Sequence, residues 1–251
     1  MKERIPDSSI DMILADLPYG TTACKWDSII PLEPLWEQYK RAIKENGAIV
    51  LTASQPFTTK LISSNLEWFR YCWVWEKTIP TNFVLANKRP MKYHEDICVF
   101  YKKQPTYNKQ LIPRSKSGKE RMKYSVTHRS KSEHISLERN RTDYNPEMKN
   151  PSSVIKIKSI YKNDTLHPTQ KPVALFDYLI KTYTNQNEIV LDNVMGSGTT
   201  AVACLKTNRQ FIGFEKEEKY YHIALKRIGK FNKSYYKELP KNEKPKQKQL
   251  F

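Results

Sequence analysis

No apolar stretch of this chain approaches the length needed to span a bilayer, and its first residues carry no signal-peptide pattern. The four cysteines, Cys24, Cys72, Cys98 and Cys204, form no C-x-x-C pair. They read as reduced, mostly buried thiols, and the expected location is the cytoplasm. The histidines, His94, His128, His134, His167 and His222, lack metal-ligand spacing, so no metal site is expected. There is no internal repeat. Acidic residues are also short: 26 Asp and Glu stand against 43 Lys and Arg, a formal net charge of +17. A pI near 9.6 goes with that imbalance and points to a polyanionic partner.

The positive charge is concentrated in two places. From Lys102 to Asp164 there are 16 basic and 6 acidic residues, with Tyr107, Tyr124, Tyr144 and Tyr161 interleaved. From Lys226 to Phe251 there are 9 basic and 2 acidic residues. The tail from Ser234, with Pro240, Pro245 and alternating lysines, reads as a flexible, phosphate-contacting arm. Most individual lysines in the middle segment read simply as solvated. With 251 residues and 39% hydrophobic content, one catalytic domain plus an insert is expected.

Strand-like runs fall at Ile10–Leu14, Ala48–Thr52, Trp68–Trp75, Asp96–Tyr101, Glu188–Leu191 and Gln210–Phe214. Helical stretches fall at Pro34–Lys44, Pro56–Ser64, Pro172–Thr184, Thr199–Thr207 and Glu218–Phe231. This alternation predicts an α/β fold with a doubly wound, mainly parallel sheet. Trp73, Trp75, Ile97, Val99 and Tyr101 alternate as core strand residues do.

Two polar stretches follow buried-strand patterns, and in open α/β sheets ligands bind beyond the carboxyl ends of the strands. The first is Asp16-Leu17-Pro18-Tyr19-Gly20, after Ile10–Leu14. Pro18 stiffens the turn, which offers one carboxylate, backbone carbonyls and a flat ring. That suits a planar substrate bearing an amino group, although Asp and Pro also serve ordinary turns. The second is Asp192-Asn193-Val194-Met195-Gly196-Ser197-Gly198-Thr199-Thr200. It is not a phosphate-binding P-loop, because no Lys follows the second glycine. Ala201 stands where a nicotinamide fingerprint has its third glycine, a position that tolerates Ala. Glu215 ends the next strand, 17 residues after Gly198, where an acidic partner for ribose hydroxyls usually stands. These residues read as an adenosine-type cofactor site, or as a plain strand-turn-helix.

With His167-Pro168-Thr169-Gln170-Lys171-Pro172, these motifs together resemble the S-adenosylmethionine-dependent amino-methyltransferases. Members carry D-P-P-Y, F-x-G-x-G and H-P-T-x-K-P. The order here, target motif before cofactor motif, resembles the beta group of DNA methyltransferases, N6-adenine or N4-cytosine, and covers about residues 1–102 and 164–230. It implies a Rossmann-like catalytic half with the target motif at 1–102 and a basic target-recognition insert at 103–163. A cofactor half at 164–230 and a flexible tail at 231–251 complete the division.

By this resemblance, Asp16 and the Leu17 carbonyl hold the target amino group, Pro18 shapes the turn, and Tyr19 stacks on a flipped base. Asp192, Met195, Gly196, Ser197, Gly198 and Thr199 form the cofactor loop, Glu215 binds the ribose, and Thr169 and Lys171 lie near the cofactor carboxylate. Leu17 replaces a proline, and Asn193 and Val194 replace Pro-Phe. Met1 to Arg4 reads as the helix after a strand that members place earlier, which leaves the adenine-end contacts unassigned. The implied substrate is double-stranded DNA, methylated at adenine N6, because cytosine-specific members more often begin the target motif with Ser. A cytosine-N4 enzyme and a catalytically silent DNA-binding relative are the alternatives. A homodimer and a cognate restriction enzyme remain open as partners. Asn82 to Lys92, polar and basic between two strands, reads as a second DNA-facing loop.

Overall fold

The computed structural model describes residues 1, 3–22, 24, 27–124, 145–161, 164–231 and 248–250. They form two compact units, one of Met1–Asn108 with Ser153–Phe251, the other of Lys109–Ser152. Tyr144, His128, His134 and most of the basic tail lie outside the described residues.

The first unit is an α/β layer structure. Its chain order is β1 (Ile10–Ala15), α1 (Leu32–Ala42), β2 (Ile43–Ala53), α2 (Phe57–Ser63), β3 (Phe69–Thr81) and β4 (Lys92–Phe100). The second unit follows, with β5 (Ile112–Pro113), α3 (Lys116–Tyr124) and β6 (Met148–Lys149). The chain then returns through β7 (Val154–Lys156), α4 (Val173–Tyr183), β8 (Ile189–Asp192), α5 (Thr199–Thr207), β9 (Gln210–Glu215), α6 (Glu218–Phe231) and β10 (Lys248–Leu250).

One eight-stranded sheet runs in the order β10-β9-β8-β1-β2-β4-β3-β7. Its centre, β9-β8-β1-β2, is wholly parallel, whereas β4 pairs antiparallel with both β2 and β3. The central strands read as nearly continuous apolar runs because both sheet faces are covered. On one face, Met12, Leu14 and Val190 pack with Leu175, Phe176 and Leu179 of α4, Ala203 of α5 and Ile228 of α6. On the other, Ile13, Ile49 and Leu51 pack with Leu35, Trp36 and Tyr39 of α1 and Leu61 of α2. Helix α4 buries Leu175, Phe176, Leu179, Ile180 and Tyr183, a stripe at helical spacing. The fold is therefore the doubly wound, mainly parallel α/β class that the strand and helix pattern predicts.

Two local expectations change. Where a helix was expected from Met1 to Arg4, Arg4 N and Ile5 N both donate to Met1 O, and the described residues form a turn. The β3–β4 hairpin reaches further than its apolar pattern, to Thr81 and back from Lys92, because cross-strand pairs such as Glu76 with His94 extend the ladder through polar residues. In the tail, β10 pairs antiparallel with β9, with Lys248 opposite Glu215 and Leu250 opposite Gly213.

In the second unit, β5 pairs antiparallel with β6, and Arg114 Nε donates to Asn145 O at 3.2 Å. Among the described residues, no helix is long and apolar enough to cross a membrane.

Candidate active site

The carboxyl ends of β1, β2 and β8 open into one cleft of about 1350 Å³, and β3 and β4 form its far wall. Asp16 follows the last residue of β1 and is held from three sides. Tyr19 Oη donates to its Oδ1 at 2.9 Å, as does the buried Thr52 hydroxyl at the end of β2. Lys171 Nζ sits 2.7 Å from its Oδ2. The turn behind Tyr19 is fixed by Asp27, whose carboxylate accepts from the backbone N–H groups of Gly20, Thr21 and Thr22. Burial works against the Asp27 charge, but those hydrogen bonds hold its pKa below the usual value. The Tyr19 ring stacks on Phe57, centroids 5.4 Å apart, with Lys171 Nζ over the ring. Burial, followed by the charges of Asp16 and Glu95, pushes the Tyr19 hydroxyl well above its ordinary pKa.

Lys171 belongs to a chain of charge. Its ammonium lies 3.3 Å from Glu95 Oε2, and Glu95 Oε1 lies 3.2 Å from Lys77 Nζ. Burial disfavours the Lys171 charge, yet Asp16 and Glu95 outweigh it and raise the lysine's pKa. Burial likewise opposes ionised Glu95, and the two lysines overcome it and lower its pKa. The Lys171 ammonium, expected near a cofactor carboxylate, lies here between the carboxylates of Asp16 and Glu95. Thr169 lines the cleft with its hydroxyl 3.1 Å from His167 Nδ1.

The glycine loop has two layers. Asn193, Val194 and Gly196 line the cleft, with Glu215 at the end of β9. Glu215 accepts from Gly196 N and Glu217 N, each at 2.7 Å. Burial raises the Glu215 pKa against the pull of those hydrogen bonds. Asp192, Met195, Ser197, Gly198 and Thr199 lie beneath the wall and do not line the cleft. Asp192 is buried, accepts from Val194 N at 3.0 Å and pairs with the Thr200 hydroxyl. Burial pushes its pKa up to about 7. Met195 packs in the core. Ser197 is clamped by Arg227 of α6, whose Nη1 donates to its carbonyl at 2.7 Å and to its hydroxyl at 2.9 Å. Gly198 has φ +81°, and a Cβ there would stand 2.9 Å from Ala224 Cβ. Tyr39 of α1 donates to Asn193 Oδ1 at 2.5 Å, fixing the loop's start.

All four target-motif residues, Asp16, Leu17, Pro18 and Tyr19, line the cleft, although the Leu17 side chain is buried in the core. Thr52, Lys77 and Glu95 were absent from the expected site. Lys77 had a signal, since it continues the buried alternation Trp73, Trp75 on β3. Among the described residues, no group of three or more His, Cys, Asp or Glu could hold a metal ion.

The geometry can be set beside known proteins. A family model described as DNA methylase matches residues 10–226. Type II methyltransferase M.BglII of Bacillus subtilis is 29% identical over 240 residues, which is 88% of this chain and 64% of that protein. Type II methyltransferase M.HpaI of Haemophilus parainfluenzae is 28% identical over 244 residues, 90% of this chain and 70% of that one. The chain therefore spans about two thirds of the length of these curated relatives. Among solved structures, the crystal structure of an M1.HpyAVI-SAM complex matches with a TM-score of 0.59 at 25% identity, covering 90% of this chain and 91% of that one.

Proposed function

The chain belongs to the DNA methylase family, and on that premise we propose that it transfers a methyl group from S-adenosylmethionine to the N6 amino group of adenine in double-stranded DNA. One observation carries the reading: the Asp16 carboxylate, anchored at the end of β1, shares a single cleft with Gly196 and Glu215.

The residues present suit the cofactor. Gly196 lines the cleft at φ +54°, a left-handed conformation that favours glycine and leaves its backbone without a side chain beside the ligand space. The Glu215 carboxylate accepts from Gly196 N and Glu217 N and is also approached by Lys216 N, and its two oxygens still keep acceptor capacity for ribose hydroxyls. Gly196 and Glu215 would therefore hold the cofactor, with Asn193 and Val194 beside them. When bound, the cofactor supplies a sulfonium methyl that is already activated for displacement.

What the protein adds is position. An exocyclic amino group is a poor nucleophile because its lone pair is delocalised into the ring. Asp16 accepts one amino hydrogen, with the Leu17 carbonyl as second acceptor, and draws the hydrogens out of the ring plane. The carboxylate also stabilises positive charge developing on nitrogen. Holding the two reactants in line lowers the barrier further, since displacement at an activated methyl depends on positioning. Lys171 occupies an Asp16 oxygen that an incoming amino group would use, and Glu95 offers that ammonium a second partner when the group arrives. Tyr19 supplies a ring surface for the base. The base must leave the helix to reach this cleft, at a cost of a few kcal/mol.

Incubation with methyl-labelled S-adenosylmethionine and mixed-sequence DNA, digestion to nucleosides and mass spectrometry tests the reading. Label in N6-methyl-2′-deoxyadenosine is the expected result. Label in N4-methyl-2′-deoxycytidine would keep the chemistry and overturn the target. Label in neither would overturn the methyltransferase reading.

A further inference from the structure

The hairpin between β3 and β4 ends in a combination unlike the rest of the surface. Phe83 and Val84 sit in a short 3-10 turn, Phe83–Leu85, and are 73% and 79% exposed. They are the most exposed large apolar side chains among the described residues, and they are adjacent. Their flanks are basic and exposed, with Lys88 and Arg89 following them.

The tip is held in shape. Asn82 is left-handed at φ +69°, Leu85 N donates to Asn82 O at 2.9 Å, and Lys88 N and Arg89 N both donate to Leu85 O. The hairpin arms pair up to Glu76 with His94, shift register over the next four residues, and pair again at Thr81 with Lys92. Phe83 and Arg89 also belong to the wall of the cleft that contains Asp16. An exposed apolar pair on a hydrogen-bonded, positively charged hairpin tip, beside a cleft large enough for a base, fits one occupant: the stacked interior of a nucleic-acid duplex reached between its phosphates. Charge brings the hairpin to the backbone. An apolar side chain inserted between base steps offsets the unstacking that a duplex suffers when a base is removed.

We propose that Phe83, supported by Val84, enters the duplex as a wedge and fills the space left by the extruded target base. The proposal rests on the reading of the cleft as a DNA methyltransferase site. It gives the hairpin a task beyond phosphate contact and separates a residue that opens the duplex from those that hold the base once it is out.

The test compares methyl transfer to one mixed-sequence plasmid DNA in native and heat-denatured form. The variants are the double substitution Phe83→Ala with Val84→Ala, and Phe83→Trp. A wedge predicts that the double variant loses about tenfold or more in kcat/KM on native DNA, since opening then goes uncompensated. On denatured DNA it should match the wild type, and Phe83→Trp should keep the native-DNA rate, because a large flat ring still fills the gap. An unchanged native rate in the double variant would overturn the wedge. So would an equal loss on both DNA forms, or a Phe83→Trp protein as slow as the double variant. Absence of transfer by the wild-type protein to either form would instead strike the methyltransferase reading itself.

Discussion

Asp192 carries an electrostatic penalty for being charged. Its carboxyl is buried under the glycine loop, and burial raises its pKa from an ordinary 3.8 to about 7. A carboxyl whose pKa is higher in the folded state binds more protons there than when unfolded. Stability therefore falls as pH rises between those two values, and the penalty is fully present above about pH 7. Asp192→Asn removes the titration while keeping the shape. Urea denaturation at pH 5 and pH 8 should show the wild type losing roughly 3 kcal/mol relative to the variant between the two. A difference that does not change with pH would contradict this account. Asp192 could be picked out in the sequence as a loop residue after a strand, but its burial could not, because Thr200 and Val194 reach it only once the loop has closed. The same holds for Glu95, which meets Lys171 across a sequence separation that no local pattern reports.

The site is built at the ends of elements, so its accuracy depends on how those elements pack. Helix α5 starts at Gly198, and a methyl group there would press on α6 at Ala224 while forcing a left-handed backbone on alanine. Gly198→Ala should cost about 2–4 kcal/mol by the sum of left-handed strain and overpacking. Thermal unfolding measures it, and a variant within about 0.5 kcal/mol of the wild type would contradict the packing described. Helices α5 and α6 run between the residues their sequence pattern predicts, because apolar spacing and the Gly198 and Glu218 starts mark them locally. The outer half of the β3–β4 hairpin was not legible in the same way. Its residues are polar, and the pairing that makes them strands comes from the partner strand.

At the scale of the molecule, charge decides how the partner is met. A net +17, concentrated around residues 102–164 and 226–251, leads to DNA affinity that rests largely on phosphate contacts. Binding to a mixed-sequence duplex should weaken by about 10³-fold or more between 50 and 200 mM salt if six or more phosphates are contacted. Affinity that barely changed with salt would contradict a phosphate-led encounter.

The central claim is that one carboxylate, Asp16, governs methyl transfer without governing cofactor binding. The direct measurement pairs two numbers for wild type and Asp16→Ala: the rate of labelled methyl transfer to DNA and the dissociation constant for S-adenosylmethionine by titration calorimetry. Loss of transfer by about 10²-fold or more, with the dissociation constant unchanged within about threefold, is the predicted result. Transfer at the wild-type rate, or loss of cofactor binding in parallel with transfer, would contradict it.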